Sequence, residues 1–392
     1  MQTLGIRISA PAPRRFPCPC LCAKNASAET NAADSSPGFS RTKANAKSLR
    51  VTSASARATT SPCWNASADN APGPSPLFLR ASPCPPVTII TERSHRNSSW
   101  TFFKEPSKRP LLAGEEGVRL SLAGAQDKIA VRIESDEISL PLGGAPSTHI
   151  LKPSIERFAG VVFNESFTMR LAAETGIPAA KVEVRTAETI EYLSVERYDR
   201  THVKSGTTTT LERLHQEDFC QALNIVPEMK YQKEGGPSLK QCFQLVRDVS
   251  SAPVVDLTRL LDAVIYNYVI GNNDAHGKNF SLLYQGAGTA DQQIRLAPLY
   301  DAISTVYYSE LSNEMAMKIG DEYRAERVAP RDFDKLAEQA GLAKPLVRRR
   351  VPELAQTVLD AAGEGELDQE VAQKVAALIR KRCEATLKRF AN

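Results

Sequence analysis

The sequence has no apolar run long enough to cross a membrane. Its longest, around Leu260 to Ile270, is broken by Asp262 and Asn267, and a helical span needs roughly 20 apolar residues. It also lacks a basic excess in its main body. Residues 1 to 100 hold 12 Lys+Arg and 4 Asp+Glu, which leaves 37 and 41 of the chain's 49 and 45 for residues 101 to 392, a net of −4. A body of that sign is not a nucleic-acid-binding face, because phosphate contacts need clustered Lys and Arg. A disulfide framework is missing too. Cys18, Cys20, Cys22, Cys63 and Cys84 lie in the first hundred residues, while Cys220, Cys242 and Cys383 stand far apart, as small buried hydrophobes of a reducing cytoplasm do. The alternating Cys18, Cys20 and Cys22 have neither the two-residue gaps nor the nearby histidine that structural zinc requires.

At 392 residues the length predicts about two to three domains. Residues 1–105 read as a disordered or atypical leader: the first hundred carry 12 of the 25 prolines and both tryptophans, with no sustained period of 2 or 3.6 to bury surface against chain entropy. Pro11, Pro13, Arg14, Arg15 and Pro17 interrupt the apolar core a secretory signal would need. Three readings stay open: a disordered leader, an Arg/Ser-rich transit peptide, or sequence that is not the natural start of the domain behind it.

From Arg109 the texture alternates, and the fold class reads as α+β. Strands are expected within Leu120 to Ile133, at Ile138 to Leu140 and at His149 to Lys152. Val162 to Gly176 reads as a helix, and Lys181 to Arg185 with Ile190 to Arg197 as a hairpin. Beyond Arg200 the pattern is mostly helical: Gln216 to Asn224, Leu239 to Val249, Leu257 to Ile270, Arg331 to Ala340, Pro345 to Ala362 and Gln369 to Phe390. One strand pair, Phe280 to Tyr284 and Ile294 to Ala297, interrupts it. The division expected is 106–200 as an upper, nucleotide-binding part and 201–392 as a helical lobe, with a cleft between.

The densest polar cluster is Gly271-Asn272-Asn273-Asp274-Ala275-His276-Gly277-Lys278-Asn279, at a helix exit. Asp274 and Asn279 have the spacing of a kinase catalytic loop, where the Asp accepts the substrate hydroxyl proton and the Asn holds Mg²⁺. Asn, Asp and Gly are also common turn formers, so a helix-capping loop fits the same residues. Past the strand pair, Tyr300-Asp301 places a carboxylate where it could complete a Mg²⁺ site with Asn279 or cap the next helix. Upstream, Ser121 to Lys128 forms a small-residue turn able to offer N–H groups to phosphates, although it is far from G-x-G-x-x-G. Lys152 ends a strand and Glu165 lies on the following helix, the Lys–Glu arrangement that positions nucleotide phosphates in kinases; each alone is more often a solvated charge. Glu196, Arg197 and Tyr198 sit where an interlobe hinge would, so an adenine ring could pair with backbone amides there.

In this order, S-L-A-G-A-Q-D-K, T-H-I-L-K-P, V-E-R-Y-D-R, H-Q-E-D-F-C-Q, D-A-H-G-K-N-F-S and P-L-Y-D-A-I-S resemble motifs of the HipA family of bacterial serine/threonine kinases, the toxins of toxin–antitoxin modules. The resemblance covers roughly Leu111 to Asn392. It implies a protein-kinase-like bilobal fold with a small β-rich upper lobe and a mainly helical C-terminal lobe, using ATP and Mg²⁺. It makes Asp274 the catalytic base, with Asn279 and Asp301 as Mg²⁺ ligands. Ala123, Gly124, Ala125, Gln126, Asp127 and Lys128 form the phosphate loop. Lys152 is the phosphate lysine with Glu165 orienting it, and Glu196, Arg197 and Tyr198 form the hinge. His276, Gly277, Lys278 and Tyr300 lie beside ATP, and Ser121 is the autophosphorylated serine. Implied partners are a protein substrate such as an aminoacyl-tRNA synthetase and a small helix-turn-helix antitoxin, through which alone DNA would be met. Residues 1 to about 105 depart from the family's β-rich N-terminal subdomain. Two other readings are a small-molecule phosphotransferase, which shares the Asp–Asn spacing and a later metal Asp, and a non-catalytic, antitoxin-binding regulatory subunit.

Overall fold

The structure, a computed structural model, describes residues 91–93, 128–142, 144–363 and 369–391. Six antiparallel strands form the first layer: β1 Thr91–Arg93, β2 Ile129–Glu134, β3 Glu137–Pro141, β4 His149–Pro153, β5 Val182–Ala187 and β6 Ile190–Glu196, in the order β1-β3-β2-β4-β6-β5. Thr91–Arg93 falls inside the stretch read as leader and pairs with Ser139 to Pro141. Helix α1, Val161–Glu174, packs on β5 and β6. Its start and stop follow from Gly160 and Gly176, both with positive φ. A Cβ on Gly160 would stand 2.4 Å from Val371 Cγ2, so the chain needs glycine there twice over.

Two short hairpin elements and a run of helices follow: β7 Arg200–Ser205, β8 Thr208–Arg213, β9 His215–Asp218, α2 Phe219–Ala222, α3 Leu239–Val249 and α4 Pro253–Ile270. The expected helix from Gln216 to Asn224 is thus corrected to a strand that pairs with Ser281 to Tyr284, followed by a single helical turn. Asp218 ends the strand by accepting from the Gln221 N–H in a capping box. The β7–β8 hairpin was not expected either: its residues are mostly exposed, so no apolar alternation marks them. The chain continues with β10 Ser281–Gln285, β11 Gln293–Leu296, β12 Glu314–Ile319, β13 Glu322–Arg324, α5 Pro330–Ala340, α6 Lys344–Ala361 and α7 Glu370–Phe390.

Helix α4 is the axis of this half. Leu260, Leu261, Ile265, Tyr266, Val269 and Ile270 are all fully buried, and every residue from Ala263 to Ile270 is buried, as the half of a helix wrapped by neighbours must be. It begins with Pro253 in its first turn and ends at Gly271, φ 75°. Near its start the buried carboxylate of Asp256 accepts from Arg295, Ser250 and the Leu296 N–H, fastening the helix to β11. One continuous core joins α1, α3, α4, α5, α6 and α7 to the inner face of the sheet, and a smaller cluster (Ile129, Val131, Leu151, Ala187, Tyr192) lies apart. Among the described residues no helix is long and apolar enough to cross a membrane, and Cys220, Cys242 and Cys383 are buried and unpaired.

Candidate active site

The loop after α4 is built by asparagines. Asn272 donates to Asn267 Oδ1 at 2.8 Å and accepts from the Asp274 N–H at 3.2 Å. The Asn273 N–H donates to Thr305 Oγ1 at 2.8 Å, and its carbonyl accepts from the Ala316 N–H at 2.7 Å. These two buried residues spend their polar groups inside the fold, which leaves Asp274 at the turn with its side chain half exposed. Asp274 Oδ1 accepts from the Tyr231 hydroxyl at 2.7 Å, and Oδ2 lies 3.9 Å from His276 Nε2. Burial pushes the His276 imidazole down to about 4, against the pull of Asp274, so it is neutral at pH 7. Gly277 has no room for a side chain: a Cβ would lie 2.6 Å from Pro237 Cγ and 2.9 Å from Cys220 Sγ.

Asn279 closes the loop on itself and on the next element. Its Oδ1 accepts from the His276 N–H at 3.1 Å, and its Nδ2 donates to Asp301 Oδ2 at 3.1 Å. The other oxygen of Asp301 lies 2.6 Å from Lys152 Nζ, which in turn lies 2.5 Å from Glu165 Oε1. Lys152 on β4 and Glu165 on α1 are both about 95% buried, while the Asp301 side chain is 40% exposed. Burial opposes the charge on Lys152, yet Asp301 and Glu165 outweigh it and raise its pKa. Lys152 holds the Asp301 carboxyl well below the usual carboxylate range, whereas burial pushes Glu165 up against the same lysine. The helix-cap alternative for Asp301 does not hold: the next helical piece is the three-residue turn Thr305–Tyr307, and the Asp301 oxygens face Lys152 and Asn279. Asp301 has φ 58°, a strained conformation for a residue with a side chain, of the kind that persists where surroundings over-determine it.

Tyr300 donates to Lys278 O at 2.7 Å, and its ring lies 5.7 Å from that of Tyr198. At the expected hinge the Glu196 N–H donates to Lys181 O and the Arg197 N–H to Thr148 O, both at 2.9 Å, so these two amides are engaged within the fold. Arg197 forks onto buried Asp199, which Arg200 also contacts. Lys128 feels the charges of Asp301, Lys152 and Glu165; desolvation lowers its pKa. Ser121, Ala123, Gly124, Ala125, Gln126 and Asp127 lie outside the described residues. The structure therefore brings Lys152, Glu165, Asn279 and Asp301 into one polar chain that runs through His276 to Asp274. Sequence reasoning missed Tyr231 and Asn164, whose amide bonds both the N–H and the carbonyl of Ser304; neither has a motif around it, and both meet their partners only in the fold.

The sequence pattern of the HipA-like C-terminal domain matches residues 120–362. The chain belongs to the HipA-like C-terminal domain family. A relative in Sinorhizobium fredii, "Putative kinase Y4mE", is 51% identical over 253 residues, 64% of this chain and 58% of that protein, so this chain spans somewhat over half the length of that relative. The "Serine/threonine-protein kinase toxin HipA" of Shewanella oneidensis is 29% identical over 304 residues, 73% of this chain and 68% of that one. The HipA, HipB and operator DNA complex of Shewanella oneidensis MR-1 contains a chain that superposes with a TM-score of 0.66 at 24% identity, over 80% of this chain and 75% of that one. The HipA-like fold is thus the α+β, protein-kinase-like arrangement, with a small β-rich lobe and a mainly helical one.

Proposed function

We propose that this chain is an ATP-dependent serine/threonine protein kinase of HipA type, phosphorylating a protein and, at Ser121, itself. The observation that supports this most is the placement of Lys152 Nζ between Glu165 and Asp301, with Asp301 bonded to Asn279: four residues spread over 150 positions meet as a kinase site requires. Asp274, half exposed at the loop, takes the proton of the incoming hydroxyl. Lys152, kept charged and oriented by Glu165, offers its ammonium to phosphate oxygens. Lys128 adds positive charge beside it, and on the family resemblance Lys278 meets the ATP phosphates, Glu196 to Tyr198 border the adenine, and Ala123 to Lys128 are the phosphate loop. His276 Nδ1 is buried with no hydrogen-bond partner among the described residues.

The donors fit a metal shared with phosphates. Asp301 supplies a hard carboxylate oxygen, and Asn279 would supply its Oδ1 once the amide turns from the His276 N–H, since here its Nδ2 faces Asp301; Mg²⁺ needs only one or two carboxylates when phosphates complete its shell. Among the described residues no group of three or more His, Cys, Asp or Glu would cage a metal alone. When bound, Mg²⁺ would neutralise charge developing on the transferred phosphoryl group. By extension from the Shewanella complex of HipA with HipB and operator DNA, a small helix-turn-helix antitoxin is the partner we assign, with DNA met through it. An aminoacyl-tRNA synthetase is the substrate class we favour.

The test is transfer of label from [γ-³²P]ATP with Mg²⁺, to a panel of aminoacyl-tRNA synthetases and to aminoglycosides. Label on serine or threonine of protein, including Ser121, is expected. Label on the aminoglycoside alone would replace this reading with a small-molecule phosphotransferase.

A further inference from the structure

We propose that Tyr231 is a positioning residue for the catalytic carboxylate, its hydroxyl fixing Asp274 in the orientation that receives the substrate hydroxyl. This rests on the kinase reading of Asp274. The Tyr231 hydroxyl donates to Asp274 Oδ1 at 2.7 Å. Among the described residues no other side chain donates to that carboxylate within hydrogen-bond distance, because His276 Nε2 is 3.9 Å from Oδ2. Half-exposed on a loop, an aspartate without an anchor would turn freely. With Oδ1 held, Oδ2 is the oxygen left for the incoming hydroxyl.

The tyrosine is delivered by a segment that is itself fixed. Gly236 presses against it so closely that a Cβ would lie 2.6 Å from Met229 O and 2.7 Å from Tyr231 O, and its N–H donates to Tyr231 O at 2.9 Å. The Gly277 N–H approaches Lys230 O at 3.4 Å, tying the segment to the catalytic loop. On the far side Gln232 accepts from the Lys318 N–H at 2.9 Å, and Lys233 pairs with Glu314 while lying 4.6 Å from the Tyr323 ring centroid. The Tyr231 ring meets His276 edge-on, 5.5 Å between centroids, and carries Lys230 Nζ over its face at 4.9 Å. Burial and the neighbouring Asp274 push the phenol pKa up, so the hydroxyl keeps its proton and remains a donor. Rigid support of this kind is what a group that orients another requires.

Tyr231→Phe keeps the ring and both of its packing contacts and removes only the donor. Loss of orientation at a reacting group costs on the order of 10- to 100-fold, so kcat for phosphoryl transfer should fall by that factor while KM for ATP and the melting temperature stay unchanged. Tyr231→4-aminophenylalanine, which returns an N–H donor, should recover most of the rate. In an Asp274→Ala background Tyr231→Phe should cause no further loss, because both act through one carboxylate. An active wild type with inactive Asp274→Ala and undiminished Tyr231→Phe overturns the role of Tyr231 alone. An equal loss in the Asp274→Ala background, or a loss confined to KM, does the same. A wild type that binds ATP but transfers nothing, or an Asp274→Ala variant as active as wild type, overturns the kinase reading of Asp274 and this role with it.

Discussion

Lys152 carries one charge between two carboxylates, and the two sides are not equivalent. Glu165 is buried and Asp301 is 40% exposed. Removing the lysine strands Glu165 in a dry environment, and breaking a buried pair from one side typically costs about 3–5 kcal/mol. Lys152→Met is therefore expected to lower unfolding free energy by that amount in urea titrations, whereas Asp301→Asn, which water can reach and which keeps an oxygen acceptor beside Lys152, costs less. Equal stability of Lys152→Met and wild type would mean the pair is not what keeps Glu165 inside. His276 makes a second test at this scale. Its pKa is near 4 in the fold against an ordinary 6.5, so the unfolded chain takes up a proton between these values while the folded chain does not. The stability linked to its neutral form is complete above pH 6.5 and is lost as the pH falls toward 4, by about 3 kcal/mol for a difference of that size. Urea unfolding at pH 7, 5.5 and 4.5 should show this slope in wild type and a shallower one in His276→Gln; parallel curves would contradict burial as the cause. Aspartates held low by arginines, such as Asp199, titrate in both proteins, so the difference isolates the histidine.

The elements that carry the site are stapled together, so they do not position their residues independently. Asn164 on α1 donates to Ser304 O and accepts from the Ser304 N–H, both at 3.0 Å, and Thr168 donates to Ala302 O at 2.7 Å. Ser304 Oγ donates to Ile270 O, and Thr305 Oγ1 to Gly271 O. The helix bearing Glu165, the segment bearing Asp301 and the helix end that delivers Asp274 thus share one buried network. Asn164→Ala leaves the Ser304 N–H buried without its acceptor, at about 1–3 kcal/mol, while the Ser304 carbonyl keeps the Tyr307 N–H at 3.3 Å. We expect a loss of roughly 1–3 kcal/mol in unfolding free energy, and a fall in transfer rate that exceeds any change in ATP affinity. A fully stable variant would show that the staple is not under load. None of this network is legible in the sequence, because Asn164 and Ser304 are 140 positions apart and sit in no local pattern. By contrast α3 and the last three helices are legible to within a residue or two at each end, because each has an apolar stripe with turn residues or proline at its boundary. The β7–β8 hairpin was missed for the opposite reason. Both its faces are largely exposed, and only its β-branched richness around Ser205-Gly206 would have marked it.

Across the whole molecule, the polar clusters that looked chemical, Lys152, Glu165, Asp274 to Asn279 and Asp301, converge on one place, while V-E-R-Y-D-R spends Arg197, Asp199 and Arg200 on structural pairs. Spacing carried the catalytic loop because its residues are five apart on one turn; it could not show which oxygen of Asp301 meets Lys152. In the function we propose, this convergence transfers phosphate with Asp274 as base. The most direct measurement is label transfer from [γ-³²P]ATP to serine or threonine by wild type and by Asp274→Ala, with melting temperatures taken alongside. Removing a general base typically costs about 10²- to 10⁴-fold, and a half-exposed loop carboxylate contributes little to packing. The predicted result is a variant as stable as wild type with transfer reduced by that factor; near-normal transfer in a folded Asp274→Ala would contradict the claim.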